Sequence, residues 1–250
     1  VKETTAMNQV LDHFEISHAG TGRLLISKVK GAELNDLYLS IAPPNDNDTV
    51  EEQLRAIYHC LFEVLLSVGA GPLNLISQKL FFSDIAHQYP IQQQVRRQVY
   101  TEQGWPLNEE LATAYLQQPP IVAGRCVELQ AHIILASDFE PMSIRSVDNL
   151  PGLATGSVVD FRGLRHVHFR NLTGESDDFA TQAATMFARA QDSLKDLGVS
   201  FHDVVRTWIY LSDLKGDYNT FNPVRTEFFK DTGLLRIPAS TGIQGGDLSH

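Results

Sequence analysis

Much that would mark a familiar enzyme class is missing from these 250 residues. No GxSxG elbow, P-loop, GxGxxG or paired CxxC occurs, so serine hydrolases, nucleoside triphosphatases, dinucleotide enzymes and zinc ribbons lack their usual signals. Cysteine is scarce. Cys60 and Cys126 each lie in an apolar segment, which reads as two buried thiols in a reducing compartment rather than a disulfide or a catalytic thiol. No apolar run reaches the ~18 residues that span a bilayer, and the opening VKETTAMNQV holds no signal core. No membrane partner is therefore expected, the cytoplasm is the default location, and the Asn47 and Asn171 sequons carry no weight. Basic charge is also short: 20 Lys and Arg stand against 30 Asp and Glu, a net charge of -10, with no Lys/Arg run. That balance disfavours a nucleic-acid partner and leaves open a local basic pocket for a small anion.

What is present is an ordinary globular composition, 43% hydrophobic and 20% charged, with enough length for one large or two ordinary domains. Strand-like runs at 13–26 and 34–41 open the chain. Thr49 with Glu52 forms a capping box ahead of a stripe of Leu54, Ile57, Leu61, Leu65 and Val68 that stops at Gly69. A strand over 73–85, a helix over 91–102, a connection over 105–120 with a short helix near 109–116, and a closing strand over 125–136 follow. Residues 138–150 lose this periodicity and read as a linker. Beyond them come strands at 157–161 and 166–171 and a helix over about 176–197.

Laid over each other with an offset of 129 residues, the two halves agree without a gap for more than 40 positions. Gly69 meets Gly198, Leu80 meets Ile209, Ser83-Asp84 meets Ser212-Asp213, and Val95-Arg96 meets Val224-Arg225. A tandem duplication explains this register, with modules over 1–137 and 151–250 joined by 138–150. By the same comparison the second module lacks a closing strand of about 15 residues, which either lies beyond His250 or comes from a neighbour.

Residues 198–246 carry the candidate chemistry. The strand 204–211 alternates Val205, Thr207, Ile209 and Leu211 with Val204, Arg206, Trp208 and Tyr210, a mixed face unlike a plain core strand. A helix over 217–230 follows, and then a glycine-rich loop, 237–246, whose Ser240, Thr241 and Gly242 could present hydroxyls and backbone N–H groups to a carboxylate or simply turn tightly. Arg206 is either an anion clamp or a residue of an exposed sheet face. Glu128 is either a general acid with a raised pKa or a carboxylate at a solvated edge paired with Arg125. His166 and His168 share a strand face, but no third ligand stands at sensible spacing, so no metal is expected and surface or interface histidines are the preferred reading.

The pattern LGVSFHDVVRTWIYLSDL, then YNTFNPVRTEFF and PASTGI, resembles the RidA/YjgF superfamily, and Val127-Glu128-Leu129-Gln130-Ala131 resembles that family's closing strand. The resemblance is close in the second module and weaker in the first. It implies an α+β fold of two tandem RidA-like (chorismate-mutase-like) modules, each a mixed sheet with two helices on one face, in a pseudo-oligomeric core or a homo-oligomer such as a trimer. It also implies a small carboxylate ligand between modules and no cofactor. The duplicated modules and the PASTGIQGG loop are most like the chorismatase branch, which hydrolyses the enolpyruvyl ether of chorismate. The imine deaminases of the family carry an arginine after the Pro-Ala pair, where this chain has Ser240, and a serine cannot make the bidentate contact of a guanidinium. On this reading Glu128 is the catalytic candidate and Arg206, Tyr210, Ser240, Thr241 and Gly242 bind substrate. A ligand-binding or assembly protein without catalysis is the competing expectation.

Overall fold

The computed structural model describes residues 11–18, 22–45, 48–107, 111–137, 142–147, 149–151 and 154–246. The first half contains β1 (Leu11–His18), β2 (Gly22–Lys30), β3 (Leu34–Ala42), α1 (Val50–Ser67), β4 (Leu75–Phe82), α2 (Ile85–Glu102), β5 (Ala112–Gln117) and β6 (Val127–Ala136). The second half repeats most of that order: β7 (Ser143–Ser146), β8 (Thr155–Phe161), β9 (Leu164–Arg170), α3 (Phe179–Asp196), β10 (Arg206–Leu211), α4 (Leu214–Asp231) and β11 (Ala239–Gln244). The fold is α+β, built of mixed sheets and helix pairs. Both helix pairs keep the 129-residue spacing seen in the sequence. All four helices have 18 residues, and Gly69 and Gly198 follow α1 and α3 with φ of 70° and 72°. A left-handed residue at that point is the ordinary helix stop.

The first half forms one six-stranded sheet in the order β1-β2-β3-β6-β4-β5. β6, last in the chain, therefore lies mid-sheet, antiparallel to both β3 and β4, while β5 runs parallel to β4 beyond α2. Helices α1 and α2 cover one face, where Leu54, Ile57, Leu61, Leu65, Val95 and Val99 pack against Leu39, Ile41, Leu80, Leu129 and Ile133. Burial of this apolar area, at about 25 cal/mol per Å², holds the layer together. The capping box at Thr49 is formed as the sequence predicts: the Thr49 hydroxyl accepts from the Glu52 amide at 3.3 Å, and Glu52 Oε2 accepts from the Thr49 amide at 2.8 Å.

In the second half the strands lie in two sheets, β7-β8-β9 and the parallel pair β10-β11. Among the described residues no strand of this half takes the place that β6 has in the first. Its core is a phenylalanine cluster centred on Phe187, which is 2% exposed and lies 4.9 to 6.3 Å, centroid to centroid, from the rings of Phe201, Phe221, Phe228 and Phe229. Among the described residues, no helix is long and apolar enough to cross a membrane.

Several elements differ from the sequence expectation. Residues 143–146, inside the stretch read as linker, pair with β8, while 138–141 and 148 fall outside the described residues. The segment 112–117 is strand rather than helix, because its backbone continues the ladder on β4, with Ser77 opposite Ala112 and Phe82 opposite Gln117. Helix α2 begins at Ile85 because Asp84 caps it and accepts from the His87 amide; Pro90 stands inside the second turn. The glycine-rich loop is also strand over 239–244. Its backbone pairs with β10 in parallel register from Arg206↔Ala239 to Leu211↔Gln244, so these residues form a ladder rather than a tight anion-cradling turn. The region beyond residue 246 lies outside the described residues.

Candidate functional site

The helix-free face of the first sheet is where the halves meet. Alternation puts Leu34, Asp36, Tyr38 and Ser40 of β3 and Glu128, Gln130, His132 and Ile134 of β6 on this face. At one end Leu34, Ile76 and Ile134 pack with Val159 and Phe161 of β8 as an apolar patch. Toward the other end the junction turns polar. Arg170 of β9 donates through Nη2 to the Ser77 hydroxyl at 3.0 Å, and the Thr113 amide donates to the Thr155 hydroxyl at 3.0 Å. Residue 246 extends the contact by pairing with Gln117 at the β5 edge.

Three cations converge in the polar part. Among the described residues Lys79 is the one buried lysine, 9% exposed, and its Nζ lies 3.8 Å from the Trp208 ring centroid and 6.0 Å from that of Tyr210. Arg206 stacks on the same indole, with Cζ at 4.2 Å, and donates from Nη2 to the Thr241 hydroxyl at 2.9 Å. Arg170 lies half-buried alongside, with its Nε atom shielded from solvent. Burial holds the Lys79 pKa down to about 8, and the positive charges of Arg170 and Arg206 add to the effect. Burial likewise lowers the Arg170 pKa and raises that of Tyr210. Arg170 Nε and the Tyr210 hydroxyl are buried without a hydrogen-bond partner among the described residues, and so is Nε2 of His168. Groups of this kind cost on the order of 1–3 kcal/mol each when left unpaired.

A second polar row runs beside the cations. His132 pairs with Asp36 Oδ1 through Nε2 at 2.7 Å, stacks on Tyr38 at 4.4 Å, and meets the His168 ring edge-on at 5.2 Å. Burial first, then the neighbouring His132, Arg170 and His166, push the His168 pKa down to about 3, so this imidazole stays neutral. Among the described residues no cluster of three His, Cys, Asp or Glu side chains could hold a metal. Of the histidine pair on β9, His166 is exposed and His168 lies against His132 at the junction.

The sequence candidates thus divide. Arg206, Tyr210 and Thr241 share the junction face. Ser240 lies on the opposite face of β11, where it accepts from Arg225 Nη1 of α4 at 3.4 Å, and Gly242 meets Leu214 and Tyr218 from that helix. Glu128 is not at a solvated edge. It is 3% exposed in mid-sheet, with Oε1 accepting from the Ser40 hydroxyl at 2.9 Å and Oε2 from the Ile121 amide at 3.1 Å. Nor does Arg125 pair with it; that guanidinium donates to the carbonyls of Pro43 and Pro44. Both thiols are free, and burial pushes that of Cys60 up to about 11. Sequence reasoning missed Lys79 and Arg170. The available signal was a lysine in the otherwise near-apolar run LISQKLFF and an arginine ending the β9 face after His166 and His168. A separate concavity of about 980 Å³, lined by Lys28, Lys30, Leu37, Leu73 and Ile144 among others, contains none of these residues.

Solved structures similar to this chain include a YjgF-family protein from Neisseria meningitidis, 15% identical, covering 49% of this chain and 94% of that one, with a TM-score of 0.35. RidA from an Antarctic Psychrobacter is 15% identical over 48% of this chain and 92% of its own, with a TM-score of 0.36. A YjgF-family protein from Mycobacterium tuberculosis is 14% identical over 50% and 100%, with a TM-score of 0.30. No curated protein matches. The family model described as Endoribonuclease L-PSP matches residues 157–250, a stretch that holds β9 through β11 and most of β8.

Proposed function

We propose that this chain is a pair of duplicated RidA-like modules, 1–137 and 151–250, that binds a small carboxylate-bearing metabolite where the modules meet. The observation that carries the reading is the convergence of Lys79, Arg170 and Arg206 on one partly aromatic spot, where no carboxylate partner of theirs is found among the described residues. An anionic ligand would relieve their mutual repulsion and give the orphaned Arg170 Nε and Tyr210 hydroxyl a partner. The Thr241 hydroxyl, already held by Arg206, completes the polar lining. Exposed Arg206 and Trp208 make the entrance. The finer chemistry we favour is cofactor-independent hydrolysis of the chorismatase type, with imine or enamine deamination as the alternative. The working assembly is then a homo-oligomer or a pseudo-trimer.

Calorimetric titration with propionate tests the binding site. Arg206→Gln is expected to weaken binding about tenfold or more, through loss of a charge-assisted contact, whereas Ser240→Ala on the opposite face leaves it unchanged. Equal affinity of wild type and Arg206→Gln would remove the site. Product analysis with chorismate and with 2-iminobutyrate separates the two enzymatic versions. A second reading, ligand binding without catalysis, is favoured by Glu128, whose two oxygens are both engaged by Ser40 and Ile121 rather than offered to a ligand. Turnover of neither compound by a protein that binds propionate would support it.

A further inference from the structure

Lys79 differs from the other described lysines in more than its burial. Lys30 is paired with Asp12, and the rest stand at half-buried or exposed positions, whereas Lys79 faces two arginines and two aromatic rings. Its neighbours in the sheet on this face are Gln130 of β6 and Ala114 of β5, neither of them charged. The amine is therefore set among cations, beside the positions that would hold a carboxylate.

We propose that Lys79 Nζ is a nucleophile that forms an imine with the carbonyl of a small oxo acid whose carboxylate rests on Arg170 and Arg206. This rests on the carboxylate reading above and adds a requirement for a carbonyl in the ligand. An amine becomes nucleophilic when it can shed its proton near neutrality, and neighbouring cations together with a dry setting are the usual means. Both are present, and at pH 8 about half of Lys79 is the free base. The step balances without oxidant or reductant. The Nζ lone pair attacks the carbonyl carbon, the carbonyl π pair moves to oxygen, and a proton passes from nitrogen to that oxygen. The carbinolamine then loses one water and leaves a carbon–nitrogen double bond. Tyr210, whose ring is 6.0 Å from Nζ and whose hydroxyl is unpartnered, can give the departing hydroxyl its proton and recover one from nitrogen.

The test uses the full chain with pyruvate at pH 8, with and without cyanoborohydride, followed by peptide mass mapping. An N-carboxyethyl group is expected on Lys79, formed at least about tenfold faster than on Lys28, Lys30, Lys195, Lys215 or Lys230, because its larger free-amine fraction outweighs the lower basicity of that amine. Lys79→Met, with folding checked by circular dichroism, should remove the fast adduct and leave the slow ones. In parallel, pyruvate and propionate are titrated calorimetrically. Binding of both with no preferred adduct, or an adduct spread evenly over the surface lysines, overturns the imine and leaves the carboxylate site standing. Binding of neither overturns both.

Discussion

The charge on Lys79 should leave a measurable mark on stability, and its pH dependence has a definite sign. The folded pKa, about 8, lies below the unperturbed 10.5. Below pH 8 the amine is charged in both states, and the full cost of burying it among Arg170 and Arg206 is present. Between pH 8 and 10.5 the unfolded chain keeps a proton that the folded chain has lost, so stability rises with pH. Above 10.5 both states are neutral and the penalty is gone. A displacement of this size corresponds to about 3 kcal/mol. Lys79→Met keeps most of the apolar stem and removes the charge, so the advantage of the variant over wild type should shrink by about 3 kcal/mol from pH 7 to 10.5. Tyr58 and Tyr100, whose pKa values burial raises, and Cys60 act in the opposite direction at high pH. They are common to both proteins and cancel in the difference. Urea unfolding followed by far-ultraviolet circular dichroism, in buffers free of carboxylates, reads the two curves. Propionate should reduce the difference below pH 8, because a bound anion offsets the repulsion. A difference that stays flat with pH, or widens as pH rises, would refute the picture of a lysine pressed between arginines.

Three further outcomes follow from the packing. Phe187→Ala removes the ring at the centre of the second-half core and should cost about 3–5 kcal/mol, read as a lowered Tm. Glu128→Gln should lose about 1–3 kcal/mol of stability, since one charge-assisted acceptor becomes a donor facing the Ile121 amide or the Ser40 hydroxyl. Propionate affinity should not change in that variant; a weakened affinity measured by calorimetry would instead place Glu128 in the ligand site. Thr49→Ala takes away the α1 capping box and should cost about 1 kcal/mol, visible as a shifted urea midpoint with an unchanged slope.

Helices α1 and α3 were legible because their signals are local. Thr49 with Glu52 and the stripe ending at Gly69 specify α1 without reference to anything else, and the 129-residue register carried the same expectation to α3. What escaped is set by contacts distant in the chain. The runs ATAYLQ and ASTGIQ have weak strand signals of their own and become strands by lying parallel to β4 and β10 across an intervening helix. Pro90 discouraged an early start for α2, yet the Asp84 cap extends the helix past it. Arg206, Trp208 and Tyr210 could be assigned to one face by alternation. That this face meets Lys79 and Arg170 depends on how the two halves pack, which no spacing within either half encodes.

The mid-sheet place of β6 has a consequence for how the first half is made. During synthesis β1 to β3 and β4 with β5 are complete before β6 leaves the ribosome, and they can form only two separate patches with apolar edges. Lengthening the connection from β5 to β6 should accordingly slow the final closure of the first sheet more than it weakens the finished fold.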